Sequence, residues 1–333
     1  MSAHTPKILG FGHYAPSRTL TNADLEKMVD TSDDWITTRT GIKERHVAAP
    51  DEACSDLALP AARQALEQAG LTPDSLTHIF VATFTPDAYV PSAACVLQHK
   101  LGASQAMAMD LAAACSGFLY SLETARAFLA IHPEAKILVV GSEVITSRTN
   151  FTDRSTCVLF GDAAGAAVLG NQDNAIAALD DVLLGADGSL GDLLVVRGGG
   201  SGAPVALGES VDESFFVQMQ GSEVFRHAVR SMASITNQVL ARAGLSAKDI
   251  DLFIPHQANI RIIEALAKKL AFPIDKVYVN VNRFGNSSAA SVPLALSEAL
   301  QEGYIPEDAT VLLASFGGGF TWGAALLKFG RGH

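Results

Sequence analysis

The sequence predicts an α/β protein built from two duplicated halves packed as a pseudo-dimer, and three observations in its 333 residues carry that prediction. First, Arg63–Thr83 reads as helix, glycine stop, short loop and buried strand, and Ser234–Ala258 reads the same way, their AGL triplets starting at Ala69 and Ala243, an offset of 174. Second, the offset propagates. The strand ILVVGSE at Ile137 falls on VLLASFG at Val311, and Cys115 falls on Ala289, each of these last two at a helix opening. Third, the register breaks once: GAAVL at Gly165 pairs with GAALL at Gly323, where the offset is 158, so the first half carries 16 extra residues around VITSRTNFTDRSTCV. A repeated strand and helix unit of this length is no solenoid module; two copies bury their apolar faces against each other. The halves join near Asn171–Asn174, which divides the chain into 1–172 and 173–333. The run RGGGSGAP (Arg197–Pro204) reads as a surface loop of the second half, since no clear helix start follows it to make a phosphate cradle.

Bulk composition narrows the function classes. With 48% hydrophobic and 18% charged residues the chain is globular, not disordered. Its longest apolar stretches, such as Val311–Ala314, fall far short of the ~20 residues a membrane span needs, and MSAHTPK at the start has no apolar signal core behind it. The expectation is a cytoplasmic protein without a membrane partner. A net charge of −11 argues against nonspecific nucleic-acid binding. Cys54, Cys95, Cys115 and Cys157 form no CxxC pair, so neither disulfides nor a metal site is expected, and each thiol reads first as a small buried hydrophobe.

Cys115 departs from that reading by its setting. MAMDLAAACSGFLYSLETARAFLA approaches as a small-residue strand and continues as a helix with Phe118, Leu122, Ala125 and Leu129 on one stripe. A thiol at this junction meets unpaired backbone N–H groups and the positive end of the helix dipole, so a lowered pKa is expected. His256, in PHQANIRII, stands at a strand end beside a helix start. Asn286, in RFGNSSAASVP, lies in a turn expected to cap the helix beginning near Ala289. By the repeat offset this turn is the mate of the Cys115 turn, so a pseudo-twofold axis brings the two helix starts together. The C-terminal SFGGGFTWG carries three glycines after a strand, which read as a tight turn and also let backbone N–H groups approach an oxyanion.

These residues, AACSGF, PHQANIRI, GNSSAASVP and FGGGFTWG, with TNADLEKMVDTSDDWITTRTGIKERH and FGDAAGAAVL, resemble the β-ketoacyl-acyl carrier protein synthase III family of condensing enzymes over essentially the whole chain. The resemblance implies a thiolase-like five-layered α-β-α-β-α fold, a homodimer, and decarboxylative condensation of a short acyl-CoA with malonyl-acyl carrier protein. It implies an acyl-enzyme at Cys115, a triad completed by His256 and Asn286, and an oxyanion hole from the N–H groups of Cys115 and Gly318. It places coenzyme A along Thr31, Trp35, Arg39, Arg154 and Asn259, with Trp35 and Arg154 sandwiching the adenine. No cofactor is implied, since coenzyme A enters as a thioester substrate. The carrier protein, itself acidic, would dock on Arg226, Arg261, Lys268 and Lys269. Two departures stand out: Ser116 follows the nucleophile where some members have Ala, and Val90 stands where some members have a Phe that lines the partner subunit's acyl pocket, which leaves primer choice open. The order Cys115, His256, Asn286 also suits a papain-like hydrolase, although no C-G-S-C-W surrounds the cysteine. A related condensing enzyme with another primer or acceptor is the second alternative.

Overall fold

A computed structural model describes residues 5–330 of the chain. Residues 1–4, part of the N-terminus read above for a signal core, lie outside the described residues. Nine strands make the main sheet: β1 (Lys7–Tyr14), β2 (His78–Ala82), β3 (Met107–Leu111), β4 (Ile137–Glu143), β5 (Ala163–Gly170), β6 (Ala177–Ala186), β7 (Leu252–Pro255), β8 (Thr310–Gly317) and β9 (Thr321–Phe329). Their spatial order is β7-β8-β9-β6-β1-β5-β4-β2-β3. Outward from the β1–β6 seam, β1-β5-β4-β2 on one side repeats as β6-β9-β8-β7 on the other. Directions repeat as well, with β2 parallel to β4 and β7 parallel to β8, while β4–β5 and β8–β9 are antiparallel. The seam itself is short, pairing Lys7 with Ala178 and Ile8 with Ala177.

Helices fill three layers around the two half-sheets. α2 (Cys54–Ala69) and α3 (Ala93–Leu101) cover the outside of the first, and α5 (Gly221–Ala243) and α6 (Ile260–Lys269) cover the outside of the second. Between them lie α4 (Gly117–Ile131) and α7 (Ser291–Gln301), packed against strands of both halves. α1 (Asp33–Thr40) lies outside this set and contacts α6. The result is the five-layered α-β-α-β-α arrangement expected from the resemblance.

Strand periodicity explains how one apolar run serves two layers. In β4, Ile137 and Val139 join the central core while Leu138 and Val140 point to α2 and α3; in β8, Val311 and Leu313 point inward while Leu312 and Ala314 point outward. Alternate residues face opposite sides of a strand, so a strand covered on both faces must be apolar throughout. The α4 stripe of Phe118, Leu122, Ala125 and Leu129 is buried in the central layer. Two details differ from expectation. Cys95 is exposed, because it lies on the solvent side of α3. The helix after Asn286 starts at Ser291, preceded by a 3-10 turn (Ser288–Ala290) whose N-cap is Ser287, so Asn286 does not cap the helix and its side chain instead accepts from the Ser288 N–H. Among the described residues no helix is long and apolar enough to cross a membrane.

Candidate active site

The two central helices begin in matching turns. Ala114–Ser116 precedes α4 and Ser288–Ala290 precedes α7, and each turn holds a non-glycine residue in left-handed backbone, Ala114 at φ 45° and Ser288 at φ 51°. The repeat offset relates Ala114 to Ser288, and it also relates Gly117 to Ser291, which open the helices. The turns touch at the centre of the molecule. Opposite them, Gly317 ends β8 so close to the Cys115 backbone that a Cβ there would stand 2.6 Å from the Cys115 nitrogen. Only glycine allows that approach, and it brings the Gly317–Gly319 backbone over the thiol.

Cys115, His256 and Asn286 line a single cavity of about 960 Å³, together with Gly318 and Phe84. The same cavity extends to Trp35, Asn259 and the exposed Arg39 and Arg261, so it connects the buried triad to the surface. Its volume is at the upper end of small-molecule sites.

Hydrogen bonds fix what each polar group can still offer. Ser291 Oγ accepts from the Gln257 N–H at 3.4 Å and lies 2.5 Å from His256 Nδ1, within reach to donate its own hydrogen to that nitrogen. With that donation the imidazole carries its proton on Nε2 as a donor. Burial lowers the His256 pKa to about 4, so the ring is neutral at neutral pH. Asn286 Oδ1 accepts from the Ser288 N–H at 2.9 Å, which leaves the Asn286 amide hydrogens as donors. Two neutral donors with occupied acceptor sides suit an oxyanion and repel no negative charge.

The Cys115 thiol departs from the sequence expectation. Burial pushes its pKa up to about 12, against a lowering by the Ser288 hydroxyl and with a further rise from the Glu143 charge. α4 begins only at Gly117, two residues past the thiol, and desolvation outweighs the helix end. Burial thus favours the neutral thiol of Cys115 over the thiolate at neutral pH.

The His256 shift has a testable consequence for stability. The unfolded chain binds a proton at His256 below about pH 6.5, whereas the folded chain excludes it until about pH 4. Stability therefore falls as the pH drops from 6.5 toward 4. Urea midpoints measured at several pH values should show this slope, and His256→Asn should flatten it.

The family models for 3-oxoacyl-[acyl-carrier-protein] synthase III match residues 109–188, and those for its C-terminal part match 240–329. The β-ketoacyl-[acyl-carrier-protein] synthase III of Oleidesulfovibrio alaskensis is 58% identical over 96% of this chain and 98% of that protein. This chain belongs to the β-ketoacyl-acyl carrier protein synthase III family. The synthase III of Nitratidesulfovibrio vulgaris (strain DP4) is 55% identical over 98% of this chain and 99% of its own. The crystal structure of the Aquifex aeolicus VF5 synthase III superposes with a TM-score of 0.89 at 45% identity, covering 97% of this chain and 100% of that one. A full-length match to synthase III sets aside the papain-like reading.

The other expected site residues fall in three places. Around the cavity mouth, the guanidinium carbons of Arg39 and Arg154 each lie 5.0 Å from the Trp35 ring centroid, and Arg154 donates to the Asp30 carbonyl at 2.9 Å. Trp35 and Arg154 thus rest against each other, and a ring placed between them would have to part them. Thr31 Oγ1 is buried without a hydrogen-bond partner among the described residues, and neither Thr31 nor Arg154 lines the cavity itself. On the outer helices, Arg261, Lys268 and Lys269 of α6 are exposed, and Arg226 of α5 is exposed and paired with Glu223. Val90 is 87% exposed and does not line the cavity of its own chain.

Sequence reading missed Glu143, Ser288 and Ser291, all buried beside the triad. One signal was available: Glu143 ends an apolar strand buried on both faces, where a carboxylate costs free energy unless it has partners.

Proposed function

We propose that this chain is a β-ketoacyl-acyl carrier protein synthase III that condenses a short acyl-CoA, such as acetyl-CoA, with malonyl-acyl carrier protein to start fatty acid synthesis. The observation that carries the reading is the convergence of Cys115, His256 and Asn286 on one cavity that opens past Trp35 and Arg39. In the first half-reaction Cys115 Sγ bonds to the acyl carbon, the bond from that carbon to the coenzyme A sulfur breaks, and the thiol proton leaves with coenzyme A. The N–H groups of Cys115 and Gly318 hold the carbonyl oxygen as it becomes anionic. In the second, the malonyl carboxylate departs as CO₂ and its bonding pair becomes the enolate, whose oxygen accepts from His256 and Asn286. The enolate carbon then attacks the acyl group, and Cys115 leaves and takes up a proton.

The remaining assignments belong to the same reading. Coenzyme A runs along Thr31, Trp35, Arg39, Arg154 and Asn259 and serves as substrate carrier, with no further cofactor. Malonyl-acyl carrier protein docks on Arg226, Arg261, Lys268 and Lys269, where opposite charge steers the encounter. The enzyme works in the cytoplasm as a homodimer, and Val90 reaches the partner subunit's acyl pocket, where its small side chain leaves room for primers beyond acetyl.

Incubation with acetyl-CoA should add one acetyl group to the intact mass, at Cys115. Adding malonyl-acyl carrier protein should then yield acetoacetyl-acyl carrier protein and CO₂. Hydrolysis of the thioester without a new carbon–carbon bond would overturn the reading, and condensation only with another acceptor would favour a secondary-metabolite role.

A further inference from the structure

Glu143 is fully buried at the end of β4, beside the triad but outside the roles assigned above. Its carboxylate accepts from Thr83 Oγ1 at 3.0 Å, Thr85 Oγ1 at 2.5 Å, the Phe84 N–H at 3.3 Å and Ser288 Oγ at 3.1 Å. Phe84 lines the catalytic cavity. Ser288 in turn donates its backbone N–H to Asn286 Oδ1, and its turn packs against the turn that holds Cys115. One carboxylate therefore joins a wall of the cavity to the turn that orients Asn286 and touches the nucleophile.

The duplication shows that the fold does not need this group. The repeat offset carries Glu143 forward to Gly317, and taken backwards it carries Ser288 to Ala114. The second half thus makes the same strand end with a glycine, and the first makes the same turn, with the same left-handed backbone, around an alanine. A prop required for the architecture would stand on both sides of the pseudo-axis. Here the side with Gly317 gives backbone access to Cys115, and the other carries Glu143 and Ser288.

We propose that Glu143 is a positioning residue for the condensation: through Ser288 it fixes the Asn286 turn, which packs against the turn of Cys115. This rests on the proposed function for the Asn286 part, whereas the coupling to Cys115 stands independently of it. The titratable groups coupled to the carboxylate are the thiols of Cys115 and Cys54, and burial holds Cys54, also hydrogen-bonded to Thr83, as a neutral thiol. Burial lifts the Glu143 pKa to about 7, so its charge changes in the working range. As Glu143 ionises its charge disfavours the Cys115 thiolate.

The test uses the full-length enzyme and Glu143→Gln, Glu143→Asp and Ser288→Ala, the last matching the alanine already present at the equivalent turn. Cys115 alkylation by iodoacetamide, followed from pH 6 to 9 by mass spectrometry of the Cys115 peptide so that the exposed Cys95 is scored separately, should climb less steeply near pH 7 in the native enzyme. In Glu143→Gln that inflection should vanish and the rate at pH 8 should rise at least about threefold, because the opposing charge is gone; in Ser288→Ala, which cuts the link from Glu143 to the Asn286 turn, condensation should fall as it does in Glu143→Gln. Condensation kcat should drop about tenfold or more in Glu143→Gln with KM for acyl-CoA little changed, the pattern of a lost transition-state interaction, and Glu143→Asp should recover part of it. A folded Glu143→Gln enzyme with the native alkylation profile overturns the proposal, as does a kcat loss that merely follows a lowered melting temperature. If native alkylation behaves as described but no condensation occurs, the functional reading fails and the Glu143–Cys115 coupling stands.

Discussion

Replacing Cys115 by alanine should abolish acyl transfer from acetyl-CoA and lower condensation by on the order of 10⁴-fold or more, as loss of a covalent nucleophile does. No other thiol can substitute. Cys54 and Cys157 are buried away from the cavity lining, and Cys95 lies on the outside of α3. The raised thiol pKa, about 12, adds a second expectation. With a thiol that high, the native rate of alkylation should still be climbing at pH 9, whereas a thiol activated by the helix end would have levelled off by then. Mass spectrometry of the acetylated enzyme checks the first result, and iodoacetamide kinetics check the second. An alanine variant that still becomes acetylated at another residue would remove Cys115 from the chemistry.

The sequence made the architecture legible because duplication leaves a measurable offset, and one offset relates both Gly117 to Ser291 and Ala114 to Ser288. The apolar runs of β4 and β8 were readable for the same reason: strands covered on both faces admit few polar side chains. Cys115, His256 and Asn286 were legible as residues at strand ends and helix starts. Their surroundings were not. Glu143 finds its partners at Thr83, Thr85 and Ser288, 60, 58 and 145 residues away in sequence, and only the folded chain joins them. Nor could helix position alone rank the forces on the thiol, since the answer depends on how completely the cavity wall excludes water. Cys95 shows the opposite error, where a residue type usually buried faces solvent because its place on α3 points outward.

Asn286→Ala should leave acylation of Cys115 within a few-fold of native while condensation falls by roughly 10²–10³, the cost of losing one donor to a developing oxyanion. The carboxamide can give that donor because its oxygen is already committed to the Ser288 N–H. On the proposed mechanism His256 is the second donor, kept neutral by burial, so the residual activity should come from it. The turn should survive the change: in the first half Ala112 occupies the equivalent place, and the chain there forms the same 3-10 turn into α4. Asn286→Asp should be worse than alanine at neutral pH, because a carboxylate would face the enolate oxygen with like charge. Single-turnover acetylation and release of CO₂ from malonyl-acyl carrier protein, measured on each variant, separate the two half-reactions. Equal losses in both would mean that Asn286 shapes the whole cavity and does not serve the enolate.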